Sequence, residues 1–374
     1  MKFEVLLDNF VKGLSYAGKA ISVKATLPVL ANVLLETDKG RIKISATDLE
    51  KSVSVWVGAK VLEEGSITIP ARVLYEFVAS IKAPQITARV EGGFLVLESE
   101  GVYSKISGMA PEEFPKLLAE EKGNEICGID PKVLADAVSK VSFAAASDDS
   151  RPILTGIMIN FSKDSLTFAA VDGFRLAEKV ITLKKSAVKE FSCVVPAKSL
   201  AEIARIFGGG EKEVEVGFFE NDNAFYISSP DIFATIRVLE GDFPDYKKII
   251  PQDSTSKAEF ATSDFSQSIR LAGVFAKDES KIIKLTLIKE KEEIEVRSET
   301  QEVGEVLAKI KAKCEGDDIT IAFNSKFLAD FLANLPNPQG VLEMVSMGPL
   351  SPALFVVEKN QNYRYVVMPV RVSG

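Results

Sequence analysis

The 374-residue sequence contains no histidine. Histidine is the commonest general base near neutral pH and the commonest zinc ligand. Its absence excludes serine–histidine and cysteine–histidine hydrolases and the HExxH metalloproteases. Cysteine is also scarce, with only Cys127, Cys193 and Cys314. An odd number without short spacings indicates free thiols in a reducing compartment rather than a disulfide framework.

The sequence also lacks long apolar runs. None approaches the ~18 residues that a membrane helix needs. Glu4 and Asp8 interrupt the N-terminal segment where a signal peptide would be continuously apolar. These features predict a cytoplasmic protein without a membrane partner. The length fits two or three domains of roughly 100–200 residues each.

One pattern of strand followed by amphipathic helix occurs three times, as ITIPARVLYEFVASI, CVVPAKSLAEIARIF and ITIAFNSKFLADFLANL. A base opens each helix and an acid follows four residues later, in the pairs Arg72/Glu76, Lys198/Glu202 and Lys326/Asp330. The bases are 126 and 128 residues apart (198−72 and 326−198). Repeats of this length are whole domains. The sequence therefore predicts three copies of one domain, at 1–122, 123–253 and 254–374, joined by polar, turn-prone stretches.

Each predicted domain contains two helices and several strands. Apolar periodicity predicts helices at 8–24, 71–82, 131–147, 197–207, 264–281 and 324–335. Alternating segments such as ANVLLETDKGRIKISATD and GIMINFSKDSLTFAAVD predict β-hairpins. The third copy has SETQEVGEV in place of the ATD and AVD turns. The fold class is α+β, with both helices of each domain packed on antiparallel sheet. GGG at 208–210 is interpreted as a helix stop, because no helix begins after it.

Charge is unevenly distributed along the chain. The net charge of −8 argues against a general nucleic-acid binder. The six predicted helices nevertheless contain thirteen bases and eight acids, which leaves +5 on the helices and −13 elsewhere. Lysine and arginine are good helix formers, which is one explanation. A base in the first turn, however, opposes the helix dipole, and base-before-acid is the weaker order for a pair four residues apart. Its recurrence in three copies favours an external anion such as a phosphate backbone.

Several motifs occur in a fixed order along nearly the whole chain: KATLPVLANVLLE, ATDLE, RPILTGIMI, AVDGFRLA, EGDFPDYKKIIP and YRYVVMPVRV. Together they resemble the bacterial DNA sliding clamp, the β subunit of the DNA polymerase III holoenzyme. The resemblance implies a head-to-tail homodimer that forms a ring of six domains, with helices around duplex DNA and sheets outside. It implies a processivity factor without a catalytic site or cofactor, which contacts DNA without sequence specificity.

The resemblance also implies a groove for short linear peptides of the polymerase III catalytic subunit, the clamp loader, other polymerases and repair proteins. By motif, its residues are Leu154, Gly173, Phe174, Arg175, Leu176, Pro244, Lys248, Ile249, Asn324, Phe327, Val366, Val367, Met368, Pro369, Val370 and Arg371. Phe174 stands where the family usually has His or Tyr, and Val171 where Thr is common. Both departures predict a drier groove with a shifted peptide preference.

Two further sets of residues follow from the resemblance. The DNA-facing set is Lys24, Arg72, Lys132, Arg151, Lys198, Arg205 and Lys326. The dimer-interface set is Tyr103, Ser104, Ile106, Val274 and Phe275. Ser104 and Ile106 stand where the family often has a large aromatic residue followed by Leu, so Tyr103 is expected to supply that bulk.

Other interpretations remain open at this point. A metal-dependent hydrolase would use the carboxylates of Asp148, Asp149 and Asp172, although the SDD segment also fits a loop beside a helix end. DGFRLA also fits a β-turn with a salt bridge, and VVMPV a closing strand, in which Pro369 would mark an edge. A passive three-domain scaffold would have no role on DNA.

Overall fold

The computed structural model describes residues 1–21, 27–117, 123–276, 281–300, 304–335, 339–358 and 360–371. The chain divides into two compact units. One contains residues 1–134, 185–188 and 199–238, and the other contains 135–184, 189–198 and 239–374. The described residues form six α-helices: α1 Leu7–Ala17, α2 Ala71–Ser80, α3 Pro131–Ser142, α4 Ala197–Phe207, α5 Thr262–Phe275 and α6 Ser325–Ala333.

The first unit contains one 12-stranded antiparallel sheet. Its strands are β1 Lys2–Leu6, β2 Asn32–Asp38, β3 Arg41–Thr47, β4 Lys51–Glu63, β5 Ser66–Pro70, β6 Gln85–Glu91, β7 Phe94–Ser99, β8 Val102–Ser107, β9 Asn124–Ile129, and, after the first four strands of the second unit, β14 Val214–Phe219, β15 Ala224–Ser228 and β16 Ile232–Arg237. The order is β8-β7-β6-β1-β4-β16-β15-β14-β9, and β3, β2 and β5 continue from β4. Helices α1 and α2 pack against each other in this unit.

The second unit also contains a 12-stranded antiparallel sheet. Its strands are β10 Gly156–Ser162, β11 Ser165–Val171, β12 Arg175–Thr182, β13 Phe191–Pro196, β17 Ser256–Ala261, β18 Ile282–Ile288, β19 Glu293–Thr300, β20 Gly304–Gly316, β21 Ile319–Asn324, β22 Val341–Ser346, β23 Ala353–Val357 and β24 Asn360–Val367. The order is β13-β10-β11-β12-β24-β23-β22-β17-β20-β19-β18-β21. Helices α5 and α6 pack against each other.

The predicted threefold strand–helix pattern is confirmed. Strands β5, β13 and β21 lead directly into α2, α4 and α6. Leu74, Leu200 and Leu328 occupy the same register position in these helices, and all are fully buried. The predicted hairpins are also present, as β2–β3 and β10–β11. Lys39 and Gly40 between β2 and β3 both have positive φ, which is the conformation of the two-residue turns that hairpins prefer.

The predicted first helix of each copy is too long. Helix α1 ends at Ala17 and continues only as a short 3-10 turn to Ala20, and α3 ends at Ser142 rather than at 147. After α3 the amide of Ala144 donates to the carbonyl of Val141, three residues earlier, which is a tighter turn than that of an α-helix. The amide of Ala146 then bonds the carbonyl of Leu154, because the chain turns back there. Alanine-rich periodicity alone does not reveal this reversal.

The excess of basic over acidic residues in the α-helices is smaller than the sequence predicts. The observed α-helices contain eight bases and six acids, so their excess is +2 rather than +5. Of the bases that the longer helices had included, Lys19, Lys82 and Lys281 lie outside the α-helices, and Lys24 and Lys277 lie outside the described residues. The GGG prediction is confirmed, since Gly208 and Gly210 donate to Ala204 and Phe207 and so terminate α4.

Candidate functional site

The AVDGFR segment forms a tight turn that exposes Phe174. One carboxylate oxygen of Asp172 accepts the amide N–H groups of Phe174 and Arg175, both at 2.9 Å. The other oxygen accepts Arg175 Nε at 2.9 Å. Gly173 has φ +91°, a conformation that other residues rarely adopt. The turn is therefore fixed by local bonds, while the Phe174 ring remains 62% exposed.

Arg175 is buried between two acids and two aromatic rings. Its Nη1 donates to Asp330 Oδ2 at 2.7 Å, and Nε donates to Asp172. Its guanidinium lies 4.7 Å from the centre of the Phe327 ring and 5.7 Å from that of Phe143. Burial alone would lower the pKa of Arg175, but the Asp330 hydrogen bond and the Asp172 charge outweigh it and raise the pKa. This side chain is a fixed cation that supports the turn.

Phe174, Phe327 and Arg175 form a column. The Phe174 and Phe327 rings stack with centroids 6.2 Å apart and an interplanar angle of 21°. Phe327 lies in α6 and its carbonyl accepts the hydroxyl of Tyr365 at 2.8 Å. A flat apolar surface with a buried cation beneath it is suited to an aromatic or aliphatic side chain of a ligand.

The C-terminal segment passes beside this column. Strand β24 ends at Val367, so the prediction of a strand through VVMPV is wrong at its end. The amide of Met368 instead donates to the carbonyl of Phe174 at 2.8 Å, and that of Val370 donates to Ala322 at 2.8 Å. Pro369, which has no N–H, lies between them. Asn324 has a structural role, since its side chain caps α6 by accepting the amide of Lys326.

An apolar cluster adjoins the turn. Its buried members are Leu154, Ala169, Val171, Leu176, Tyr246, Ile250, Leu354, Val356 and Val366. Ile153, Met158, Phe243 and Val345 pack against it, half-buried. Three of the predicted groove residues, Leu154, Leu176 and Val366, are thus brought together. Ile249 is 39% exposed on the short 3-10 helix that contains Tyr246.

A polar network lies behind the cluster. The hydroxyl of Tyr246 donates to Glu178 Oε2 at 2.9 Å, and both side chains are buried. Arg364 Nη1 lies 3.7 Å from the other oxygen of Glu178. Burial and the Glu178 charge both raise the pKa of Tyr246, so it remains a donor. Sequence reasoning missed these residues; the FPDY motif was the available signal.

Val367 is fully buried, whereas the remaining groove residues are exposed or half-exposed. Pro244 and Arg371 are exposed. The Lys248 side chain is 81% exposed and pairs with Asp245 at 3.0 Å. Sequence reasoning also missed two exposed apolar side chains, Met347 and Leu350, in the turn that follows Val345.

The predicted DNA-facing bases are exposed where they are described, and Lys24 lies outside the described residues. Arg72 Nε donates to Glu76 at 2.8 Å and Lys326 Nζ to Asp330 at 2.6 Å, so both pairs form despite their weaker order. The pair with Glu76 raises the pKa of Arg72. Arg151 lies beside the AVDGFR turn, since its Nη2 would be 3.4 Å from a Cβ on Gly173.

The carboxylates of the alternative hydrolase do not form a centre. Asp148 accepts the amide and hydroxyl of Ser150, and these bonds lower the pKa of Asp148. Asp172 is engaged by Arg175. Over the described residues, no group of three or more Asp, Glu, Cys or His side chains is arranged to hold a metal ion. The structure thus gives this alternative no support.

The predicted interface residues differ in exposure. Tyr103 is 62% and Val274 is 54% exposed, whereas Ile106 is buried and pairs with Leu95 in β7. Phe275 is half-buried, and its carbonyl accepts the hydroxyl of Thr300. Within the chain, Ile106 thus belongs to the core of its own domain.

One ion-pair arrangement occurs twice in the described part of the chain, and sequence reasoning missed it. The ATD turn presents Lys51, which donates to Glu202 in α4 at 2.6 Å. The AVD turn presents Arg175 at the corresponding position, and it donates to Asp330 in α6. The acid of the repeated helix pattern therefore receives the cation of a turn that belongs to the preceding copy.

Comparison with known proteins gives one consistent family. Family models match residues 1–118, 128–245 and 247–371 as the N-terminal, central and C-terminal domains of the DNA polymerase III beta subunit. The beta sliding clamp of Streptomyces coelicolor is 28% identical over 386 residues, covering 100% of both chains. The DNA polymerase III beta subunit of Thermotoga maritima superposes with a TM-score of 0.92 at 28% identity, and the Bacillus subtilis sliding clamp with 0.94 at 24%, each over 100% of both chains. Among the described residues, no helix is long and apolar enough to cross a membrane.

Proposed function

Because the chain belongs to the family of DNA polymerase III beta subunits, we propose that it is a DNA sliding clamp without a catalytic site. Two copies close head to tail into a ring around duplex DNA and hold the replicative polymerase on it. The three domains extend over 1–122, 123–253 and 254–374, and the protein acts in the cytoplasm. The observation that supports a ring is that two strand pairs between successive domains form within the chain, while the strands of the third equivalent pair are left with open edges.

Two strand pairs join successive domains in the same way. The first residues of β4 pair with β16, and the first residues of β12 pair with β24. Strand β20 is the third member of the β4 and β12 series, and β8 is the third member of the β16 and β24 series. Gly304 to Lys311 of β20 pair with β19 only, among the described residues, and β8 is the last strand of its sheet. One open edge of each kind supports pairing with a second copy.

The register of β20 follows from β4. Val5 lies two residues before α1 and pairs with Ala59, and Phe260 lies two residues before α5 and pairs with Ala312. Gly304 lies eight residues before Ala312 (312−304), as Lys51 lies eight before Ala59 (59−51). Gly304 therefore corresponds to Lys51.

The register of β8 follows from β24 in the same way. Val5 and Phe260 face equivalent positions of β6 and β22, which form matching hairpins with β7 and β23. In these hairpins Glu98 pairs with Tyr103, and Val356 pairs with Arg364. Tyr103 therefore corresponds to Arg364.

The two registers together define the contact between subunits. Arg364 pairs with Glu178, three residues after the turn cation Arg175. Three residues after Gly304 is Leu307, so Leu307 lies opposite the partner's Tyr103. Both side chains are at least half exposed in the single chain, at 50% and 62%. The same register sets Glu305 opposite the partner's Lys105, a pair of opposite charge.

Disulfide trapping tests this ring. We expect Tyr103→Cys with Leu307→Cys to form a covalent closed dimer on oxidation, since directly opposite Cβ atoms in a sheet lie about 4.5–5.5 Å apart. When this variant is oxidised in the presence of a circular plasmid, the covalent dimer should remain on the DNA in denaturant. It should be lost when the plasmid is linearised. The matched control, Tyr103→Cys with Lys309→Cys, is two residues out of register and should cross-link poorly. Equal cross-linking of both variants, or a persistent monomer, refutes the pairing.

The DNA contacts of this proposal are the exposed bases Arg72, Lys132, Arg151, Lys198, Arg205 and Lys326, together with Lys24. Phosphate contacts of this kind do not read sequence and weaken as salt increases. Reversing Arg72, Lys198 and Arg205 to Glu should shorten retention on circular DNA and increase its salt sensitivity. Unchanged retention would favour a scaffold without a role on DNA.

The peptide groove consists of the apolar cluster and the column of Phe174, Phe327 and Arg175. Its proposed occupants are short linear segments of the polymerase III catalytic subunit, the clamp loader, other polymerases and repair proteins. An aliphatic side chain fits the cluster, and an aromatic side chain fits the exposed face of Phe174. Phe174→Ala should weaken binding of a peptide that ends in Leu-Phe more than of one that ends in Leu-Leu.

A further inference from the structure

One carboxylate oxygen, on Asp330, binds both the buried Arg175 of the candidate groove and the exposed Lys326. Oδ2 of Asp330 accepts both Lys326 Nζ at 2.6 Å and Arg175 Nη1 at 2.7 Å. The Lys326 side chain is 55% exposed, that of Asp330 26%, and that of Arg175 8%. A single acid thus connects a base in the first turn of α6 with the buried cation of the groove.

The connection continues to the residue that the groove displays. Arg175 Nε donates to Asp172, whose second oxygen accepts the amides of Phe174 and Arg175. The backbone carbonyl of Phe174 in turn accepts the amide of Met368. The bonds that fix the Phe174 turn and the C-terminal segment are therefore continuous with the Asp330 carboxylate.

We propose that Asp330 is a positioning residue that couples DNA occupancy of the ring to peptide affinity of the groove. The inference rests on the proposed function, because it requires Lys326 to meet a DNA phosphate. When Lys326 turns to a phosphate, Arg175 is the one cation that still pairs with Asp330 among the described contacts. The ion pair between them then tightens and the Phe174 turn is held more firmly, so DNA raises peptide affinity by lowering the ordering cost of binding.

The size of the effect follows from the exposure of the pair that is broken. The free energy contributed by an exposed ion pair is small, and its loss changes an equilibrium constant by about two- to fivefold. The expected coupling is therefore about two- to fivefold and should decrease as salt increases.

The chain contains a matched control. Glu202 receives Lys51 at 2.6 Å, as Asp330 receives Arg175. Glu50 stands at the turn position that corresponds to Phe174, so this copy has no exposed aromatic side chain there. Glu202→Gln removes an ion pair of the same kind without touching the groove column.

The experiment measures the dissociation constant of a fluorescein-labelled hexapeptide ending in Leu-Phe by anisotropy, with and without saturating duplex DNA at low salt. The wild-type protein should bind the peptide about two- to fivefold more tightly with DNA. Lys326→Gln should show the tighter value without DNA and no further change with it. Asp330→Asn should bind the peptide more weakly and also be insensitive to DNA. Glu202→Gln should retain the wild-type coupling.

Several outcomes overturn the proposal, and they separate it from the clamp function. If labelled DNA binds but leaves the wild-type peptide affinity unchanged, the coupling is refuted and DNA binding is not affected. If Lys326→Gln retains the full DNA effect, or if Glu202→Gln abolishes it, Asp330 is not the link. If DNA does not bind to the wild-type protein, the proposed function fails together with the coupling.

Discussion

Replacing Tyr246 with Phe tests the network behind the groove. The substitution keeps the ring in the apolar cluster and removes only the hydroxyl that donates to Glu178 at 2.9 Å. A hydrogen bond to a charged acceptor contributes about 1.5–3 kcal/mol, and loss of the donor leaves a buried carboxylate less satisfied. Arg364, 3.7 Å from the other oxygen of Glu178, partly compensates. We therefore expect a local loss of about 2 kcal/mol.

Hydrogen exchange is the suitable assay, because the free energy of global unfolding is not well defined for a chain of several domains. A loss of about 2 kcal/mol corresponds to about 30-fold faster exchange of amides that open with the segment. The amides of Tyr246 and Ile250, bonded to Pro244 and Lys247, report on this segment. Peptide affinity should fall with it, because Ile249 lies on the same short helix.

The matched control is Tyr226→Phe. The Tyr226 hydroxyl donates to the neutral carbonyl of Gly123 at 3.3 Å, a longer and weaker bond, so the loss should be at most about 1 kcal/mol and confined to that region. Less than threefold acceleration in Tyr246→Phe would refute the assignment of about 2 kcal/mol to the Glu178 bond. Equal acceleration around Tyr246 in both variants would show a general loss of stability instead.

Three further predictions concern titration and packing. In the native protein, Cys193 and Cys127 should resist alkylation near pH 8 and Cys314 should react first. Burial raises the pKa of Cys193 and Cys127 to about 12, whereas Cys314 is only half-buried. Mass spectrometry of alkylated peptides shows the order of reaction, and fastest labelling of Cys193 would contradict the prediction. Stability should vary little between about pH 6 and 8, because the chain has no histidine. It should fall above about pH 9, where thiols ionise in the unfolded state but remain protonated in the folded state; thermal melts across this range test the sign. Gly316→Ala should destabilise the pairing of β17 with β20 by about 3 kcal/mol or more, since the φ of Gly316 is +86° and a Cβ would overlap the carbonyl of Thr255. Unchanged hydrogen exchange of the amides in these two strands would refute this.

The local parts of the fold were predictable because they depend on local patterns. The three strand–helix units and the hairpins follow from apolar periodicity and turn residues within a few positions. The sequence could also suggest that a base and an acid recur at the start of each second helix. It could not show that Lys51 reaches Glu202, 151 residues away, or that Arg175 reaches Asp330, because such contacts depend on pairing between distant strands.

The candidate groove was predictable only through motif resemblance. Phe174 and Arg175 lie in the AVDGFR turn and Phe327 lies in α6, and no periodicity relates these two segments. Tyr246 was missed although FPDY was noticed, because a tyrosine in a polar turn gives no sign of burial until the facing Glu178 is known. The strand prediction at VVMPV failed at its end, because Met368 donates to the carbonyl of Phe174 in a turn rather than to a neighbouring strand.

The structure changes the reason for expecting DNA contacts. The excess charge of the helices is only +2, so a uniformly basic inner surface does not carry the argument. The repeated acid has a structural role in two copies, where Glu202 and Asp330 receive turn cations of the preceding copy. The turn of the third copy has Gly304 in place of that cation, and Glu76, the acid of the first copy, pairs only with the exposed Arg72 among the described contacts. Glu202 and Asp330 are therefore neutralised by turn cations, so Lys198 is not needed for this role and Lys326 can exchange its bond to Asp330 for a phosphate. Individual reversal of Lys198 and Lys326 is for this reason more informative than any change in net charge.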